Sequence, residues 1–254
     1  MPSRPDHRAG PPAPVGDEPL RVGLLVPSSN TVLEPALGRR LPGWASLHAA
    51  RLYVTESSAA AVRGIHDAIP AAARLLATVR PHLVAVGCTS VSGLDDGALE
   101  RTLAPEIEAS TGAPVVTVLP GVVAALRDLQ ASSVIVVAPH GPDVDAMVVR
   151  GLEAAGLAVR AVHGMGIADN FELGRVTPAA IRRFVEERVP VLGDREALFL
   201  TCTNFRSPEV LEPLRQRYGP RVVGSVDVLI DRTLGLLDRL RLATPGPGAA
   251  GGPA

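Results

Sequence analysis

The sequence predicts an α/β fold of two pseudosymmetric lobes, each a four-stranded parallel sheet flanked by helices. Three observations predict it. Short β-rich runs alternate with longer stretches of alanine, leucine and arginine, the pattern of parallel sheets joined by helical crossovers. Most of the runs are apolar without a break, as in strands covered on both faces. The series also repeats: the first strand of each set of four ends in a proline and a polar loop ("VPSSN" at 26–30, "APHGPD" at 138–143), and the third ends in Cys-Thr. Pro27 lies 61 positions before Cys88, and Pro139 lies 63 before Cys202. That match suggests duplication of one α/β unit.

In chain order the strands are "RVGLLVP", "LHAARLYV", "LVAVGC", "PVVTVL", "SVIVVAP", "LAVRAVHG", "ALFLTC" and "VVGSVDVL". Helical stretches are expected at 57–79, 95–111, 119–130, 142–156, 177–190, 207–218 and 225–241. The first lobe then spans 20–118 and the second 119–242, with a terminal helix free to pack back on the first. The Pro- and Gly-rich ends, 1–19 and 243–254, read as disordered tails.

Composition excludes several functions. The chain is 46% hydrophobic and 20% charged, which suits a packed core. A net charge of −1 gives no reason to expect a nucleic-acid partner. No apolar run is long enough for a membrane helix, and the first twenty residues lack the apolar segment of a secretory signal. Two cysteines 114 positions apart suit neither a disulfide framework nor a zinc site, so a reduced, cytoplasmic setting is expected. All 25 basic residues are arginine. Without lysine there is neither a Schiff base for pyridoxal phosphate nor a P-loop. No cofactor and no metal is expected; "GMGIAD" lacks the third glycine of a dinucleotide fingerprint.

Open parallel sheets bind ligands at the carboxyl ends of their strands. Both prolyl loops and both cysteines lie at such ends, so two facing lobes would present Cys88 and Cys202 to one cleft. A lone cysteine closing an apolar strand is ordinarily a small buried hydrophobe; matched placement before a threonine favours a functional pair. The loops after them, with Thr89, Ser90, Thr203 and Asn204, offer hydroxyls and N–H groups to a carboxylate or oxyanion. Those N–H groups are expected to draw the thiol pKa down toward neutrality. Asn30, beside Ser29, is either a helix cap or a carboxylate donor. Asn170 is a turn residue or a second such donor. His140 is a general base or a solvent-facing loop histidine. Asp169, Glu172 and Arg175 read as a surface ion-pair group.

The segments "VGLLVPSSNTVLEP", "VAVGCTS", "GIADNFELGRV" and "LFLTCTN", in that order, resemble the maleate cis-trans isomerase branch of the aspartate/glutamate racemase superfamily, over nearly all of 21–240. The resemblance implies two pseudosymmetric lobes with the site between them, and a cofactor-independent enzyme. It implies Cys88 as nucleophile, Cys202 as partner acid/base, and Asn30 and Asn170 on a substrate carboxylate. Arylmalonate decarboxylases of the superfamily keep the second cysteine and normally lack the first. A tyrosine is expected where this chain has His140. The expected activity is cis-trans isomerisation of a small dicarboxylate by a homodimer or higher homo-oligomer. The alternatives are a two-thiol racemase of an amino acid or other α-substituted acid, a protein associated with ectoine degradation, and a dicarboxylate-binding protein without turnover.

Overall fold

The computed structural model describes residues 18–96 and 99–243; the expected tails lie almost wholly outside them. Two four-stranded parallel sheets form the protein. The first comprises β1 (Leu20–Pro27), β2 (Ala45–Leu52), β3 (Leu83–Val86) and β4 (Val115–Thr117), in the order β2-β1-β3-β4. The second comprises β5 (Ser133–Ala138), β6 (Ala158–Gly164), β7 (Glu196–Leu200) and β8 (Val222–Gly224), in the order β6-β5-β7-β8. The two orders are the same, as duplication of one unit requires.

Ten α-helices connect the strands among the described residues: α1 (Leu33–Arg40), α2 (Ala59–Ala77), α3 (Thr89–Ser92), α4 (Ala104–Thr111), α5 (Val118–Asp128), α6 (Pro142–Ala154), α7 (Asn170–Leu173), α8 (Pro178–Arg188), α9 (Leu211–Tyr218) and α10 (Ser225–Ala243). The period-2 geometry of strands explains the unbroken apolar runs. Val22, Leu24 and Val26 of β1, Leu83 and Ala85 of β3, Val134 and Val136 of β5, and Ala197 and Phe199 of β7 face one core between the sheets. The residues between them face outward: Leu25, Val84 and Val86 into a cluster with α2, and Ile135, Val137, Leu198 and Leu200 into a cluster with α8 and α9. Beyond their first one or two residues the central strands are therefore buried at every position, and polar side chains are excluded until the strands end.

Two expected elements differ. The eighth strand stops at Gly224. From there Val226, Leu229, Ile230, Thr233 and Leu237 are buried at helical spacing, so the apolar run already belongs to α10. The expected helix over 95–111 is broken: Asp95 has φ 46°, a π-helical turn covers Leu99–Leu103, and the α-helix begins at Ala104.

The lobes are interlocked. Helix α10 packs on α5 and against β3 and β4 of the first sheet. Val144 and Met147 of α6 lie in the first lobe's outer cluster, and Asp143 accepts a hydrogen bond from Ala59 N, 2.8 Å, at the start of α2. Gly93, which ends α3, lies against α6 so closely that a Cβ there would come 2.3 Å from Met147 O and 2.9 Å from Met147 C. Both are backbone atoms and cannot swing aside. Gly93→Ala should therefore lower stability by about 1–3 kcal/mol, or roughly 2–4 °C of melting temperature per kcal/mol. Exposed Gly64, inside α2 with nothing within 4 Å of its Cβ position, is the control: Gly64→Ala should raise stability by about 0.5–1 kcal/mol. Thermal denaturation of the two variants checks the opposite signs.

Candidate active site

The candidate residues gather where β1, β3, β5 and β7 end, and hydrogen bonds join these ends across the two sheets. After β1, Ser28 is tied to the end of β2: its hydroxyl donates to Val54 O (3.2 Å) and accepts from Val54 N (2.9 Å). Asn30 follows, fully buried. Its Oδ1 accepts from the N–H groups of Val32 and Leu33, both at 2.9 Å, and so caps α1. Its Nδ2 donates to Thr203 Oγ1 of the other lobe, 3.2 Å. The two readings of Asn30 thus fall on two ends of one amide. The oxygen caps the helix, while the nitrogen carries a second N–H.

After β3, Cys88 is buried and stands at the N-terminus of α3. After β7, partly open Cys202 adopts φ 84°. A left-handed conformation costs a non-glycine residue on the order of 1–3 kcal/mol and persists only where its surroundings impose it. Here the next residue is fixed from both lobes: Thr203 Oγ1 accepts from Asn30 and donates to Gly87 O, 2.7 Å. Gly87 precedes Cys88 and Thr203 follows Cys202, so both cysteines flank one interlobe hydrogen bond.

The remaining expected residues complete the net. Asn204 accepts from Thr31 N (3.0 Å) through Oδ1 and donates to Asn170 O (2.7 Å) through Nδ2. Asn170 Nδ2 donates to Ser29 Oγ, 2.6 Å. Thr89 Oγ1 donates to Ser225 Oγ, 3.0 Å, at the start of α10. Ser90 is buried beside Cys88, to which its N–H points. Above the net, Glu56 and Asp169 form an antiparallel bridge, with Ser57 N bonded to Ala168 O (2.6 Å) and Asn170 N to Thr55 O (3.0 Å). Glu172 and Arg175 pair at the exposed surface, 3.0 Å, as expected; Asp169 caps α7 through Phe171 N, 2.9 Å.

His140 is 2% exposed, not a solvent-facing loop residue, and its Nδ1 lies 2.5 Å from Asp145 Oδ1. Asp145 escaped the sequence reading. An acidic residue in the first turn of α6 fits the helix dipole and gives no further signal; burial of a carboxylate five residues after a histidine is visible only once α6 has folded.

One electrostatic expectation is overturned. Burial pushes the Cys88 thiol from an ordinary 9.0 up to about 11, against the opposing N–H groups of Val91 and Ser90. Burial pushes Cys202 up to about 12, opposed by the Asn204 N–H and reinforced by the negative charges of Cys88 and Asp145. The helix-terminal donors are present, but desolvation outweighs them. Both sulfurs rest as thiols at neutral pH.

The family model for arylmalonate decarboxylase matches residues 22–248. The chain belongs to the arylmalonate decarboxylase family. Within it, the sequence is 27% identical over 238 residues to the maleate isomerase of Nocardia farcinica, covering 90% of this chain and 94% of that protein. The structure of the Nocardia farcinica maleate cis-trans isomerase bound to TRIS superimposes with a TM-score of 0.78 at 26% identity, over 91% of this chain and 96% of that one. A cysteine-to-serine variant of the same isomerase, with a covalently bound succinylcysteine intermediate, superimposes at 0.74 and 25% identity, over 86% and 93%. The racemase-like fold expected from the sequence is the fold of these family members.

The raised thiol pKa values set a measurable behaviour. Alkylation of Cys88 and Cys202 by iodoacetamide should be slow at pH 7–8. It should keep accelerating to about pH 11 for Cys88 and further for Cys202, because only the thiolate reacts. Peptide mass mapping across pH checks this. A plateau near pH 9 would show that desolvation does not govern either sulfur.

Proposed function

We propose that this protein is a cofactor-independent isomerase that converts a small cis-enedioate, such as maleate, to its trans isomer. The observation that carries the reading is the pair of thiols flanking one interlobe hydrogen bond, between Thr203 Oγ1 and Gly87 O. Around them are donors suited to carboxylates: the second N–H of Asn30 and of Asn170, and the hydroxyl of Ser29.

The chemistry balances from two neutral thiols. Cys88 Sγ bonds to one alkene carbon as its proton leaves. The electron pair of the double bond moves to the other carbon, which takes the proton of Cys202. The proton from Cys88 ends on Cys202, so the net step is addition of S–H across C=C. The carbon–carbon bond is now single and rotates. Reversal returns the proton from carbon, breaks the C–S bond and releases the trans isomer with both thiols restored. Cys88 suits the nucleophile because two backbone N–H groups face its sulfur, whereas Cys202 has one.

The competing readings are weaker. A two-thiol racemase would use both sulfurs alike as proton carriers, whereas here their surroundings differ: Cys88 opens a helix with two N–H groups on its sulfur and Cys202 has one. Decarboxylases of the family normally lack the first cysteine, so that activity assigns no task to Cys88. The relatives named maleate isomerase support the isomerase reading.

Cys88→Ser should abolish both turnover and covalent capture, since a serine hydroxyl stays protonated and is a far weaker nucleophile. Cys202→Ser should lose turnover and still form the adduct on Cys88. Intact-mass spectrometry after incubation with maleate, read beside proton NMR in heavy water, tests both. An adduct on Cys202 in the absence of Cys88 would reverse the roles. Deuterium at the α-carbon of aspartate or glutamate, with no adduct, would establish racemisation. Binding of dicarboxylates without either would leave a non-catalytic binding protein.

A further inference from the structure

Buried histidines ordinarily satisfy both ring nitrogens. His140 satisfies one. Its Nδ1 is held by Asp145, whereas its Nε2 is buried and has no hydrogen-bond partner among the described residues. The ring is not free to turn to another partner, because His140 and Asp145 are 2% and 5% exposed. A Cβ on Gly164 would come 2.4 Å from Asp145 Oδ2, so the carboxylate is packed directly on the end of β6.

His140 and Cys202 follow neighbouring strands. β5 and β7 are neighbours, with Val137 opposite Leu200 and Thr201 N bonded to Val137 O, 2.9 Å. β5 ends at Ala138 and β7 at Leu200, so His140 and Cys202 each lie two residues beyond the end of one of these adjoining strands. The carboxylate holding His140 is also one of the charges felt at the Cys202 sulfur. A neutral imidazole with its Nδ1 proton on Asp145 has a bare lone pair at Nε2.

We propose that His140, oriented by Asp145, exchanges a proton with Cys202 through Nε2. The proposal rests on the two-thiol reading and supplies the step that reading lacks. To take a proton from the substrate carbon, Cys202 must first lose its own. That proton moves from Cys202 Sγ to His140 Nε2, giving a thiolate and an imidazolium, while the Nδ1 proton stays on the hydrogen bond to Asp145. The thiolate takes the proton from carbon, the double bond re-forms and Cys88 leaves. The imidazolium returns its proton through Cys202 to Cys88. Addition runs the same steps in reverse, and no other proton source is needed. Where the family resemblance leads one to expect a tyrosine, this chain has an imidazole, whose two nitrogens can accept and donate a proton.

The experiment reads Cys202 alone and needs no turnover. In a Cys88→Ser background, where Cys202 is the one cysteine left, the rate of iodoacetamide capture is followed by intact mass at pH 7.5. His140→Gln keeps a polar side chain but cannot carry the proton, and should slow capture at least about tenfold. Asp145→Asn is decisive because two accounts predict opposite signs. If Asp145 acts on Cys202 only by its charge, removing the charge makes thiolate easier to form and capture faster. If it holds His140 as the proton acceptor, its loss weakens the imidazolium and makes capture slower. Slower capture in folded His140→Gln and Asp145→Asn supports the proposal; unchanged or faster capture in either overturns it. Asp145→Asn decides alone if His140→Gln does not fold. Because no substrate is present, the result stands whether or not maleate is isomerised. In the two-cysteine protein, His140→Gln should then lower kcat for maleate with KM changed less. A rise in KM at constant kcat would overturn the proton role in favour of substrate holding.

Discussion

The hydroxyl of Thr203 donates its single proton to the carbonyl of Gly87 and accepts from the buried amide of Asn30. Much else depends on that geometry. Asn30 can reach Thr203 because its oxygen is fixed on the first N–H groups of α1. Gly87 can offer its carbonyl because it has no side chain: a Cβ there would lie 2.3 Å from Leu33 Cδ2, on the same helix that Asn30 caps. One helix start, one glycine and one threonine thus set the spacing of the lobes where the cysteines emerge. A net hydrogen bond contributes only about 1 kcal/mol, but leaving a buried carbonyl and amide without partners costs about 1–3 kcal/mol each. The left-handed backbone of Cys202 is held against its own preference by the same anchor.

Burial then decides the acid–base character of the site. The fold surrounds both sulfurs closely enough that desolvation overrides the backbone donors aimed at them. A rise from 9.0 to about 11 leaves on the order of one molecule in ten thousand as thiolate at pH 7. Chemistry here must therefore form the thiolate as it is consumed, and every proton displaced needs a nearby acceptor. The dianionic substrate proposed for the site would make that need sharper, since its charge further opposes ionisation.

The sheets and their parallel sense were legible in the sequence because period-2 burial on both faces leaves an unmistakable trace. Thus β1, β3, β5 and β7 appear as unbroken apolar runs ending at Pro27, Cys88, Pro139 and Cys202. The end of β8 was not legible, since apolar residues on a buried strand and on the buried face of α10 look alike over a few positions. The break at Asp95 had a local signal, Gly93 and the Asp96-Gly97 pair, which the helical reading of 95–111 passed over. Candidate residues were legible as types at strand ends. What each does with its polar atoms was not: Asn204 and Thr89 serve the interlobe net, and Asp145 became visible only through its partner.

The repeat makes the lobes alike in topology and unlike in chemistry. Ser28 and His140 occupy the same slot, immediately after the proline that ends the first strand of each set. In the first lobe the slot is closed: Ser28 uses its hydroxyl on both backbone groups of Val54. In the second it holds an imidazole with one nitrogen unsatisfied and a carboxylate behind it. The cysteines diverge in the same sense. Cys88 opens a short helix and faces two N–H donors, while Cys202 lies in a left-handed turn with one donor and a carboxylate's field. Two equivalent sulfurs would compete for the same proton and the same carbon. Under the proposed mechanism, inequality between the lobes gives one sulfur the surroundings that favour bonding to carbon and the other those that favour proton transfer, and two lobes of one topology reach it by differing in a few residues at strand ends while keeping the same sheets.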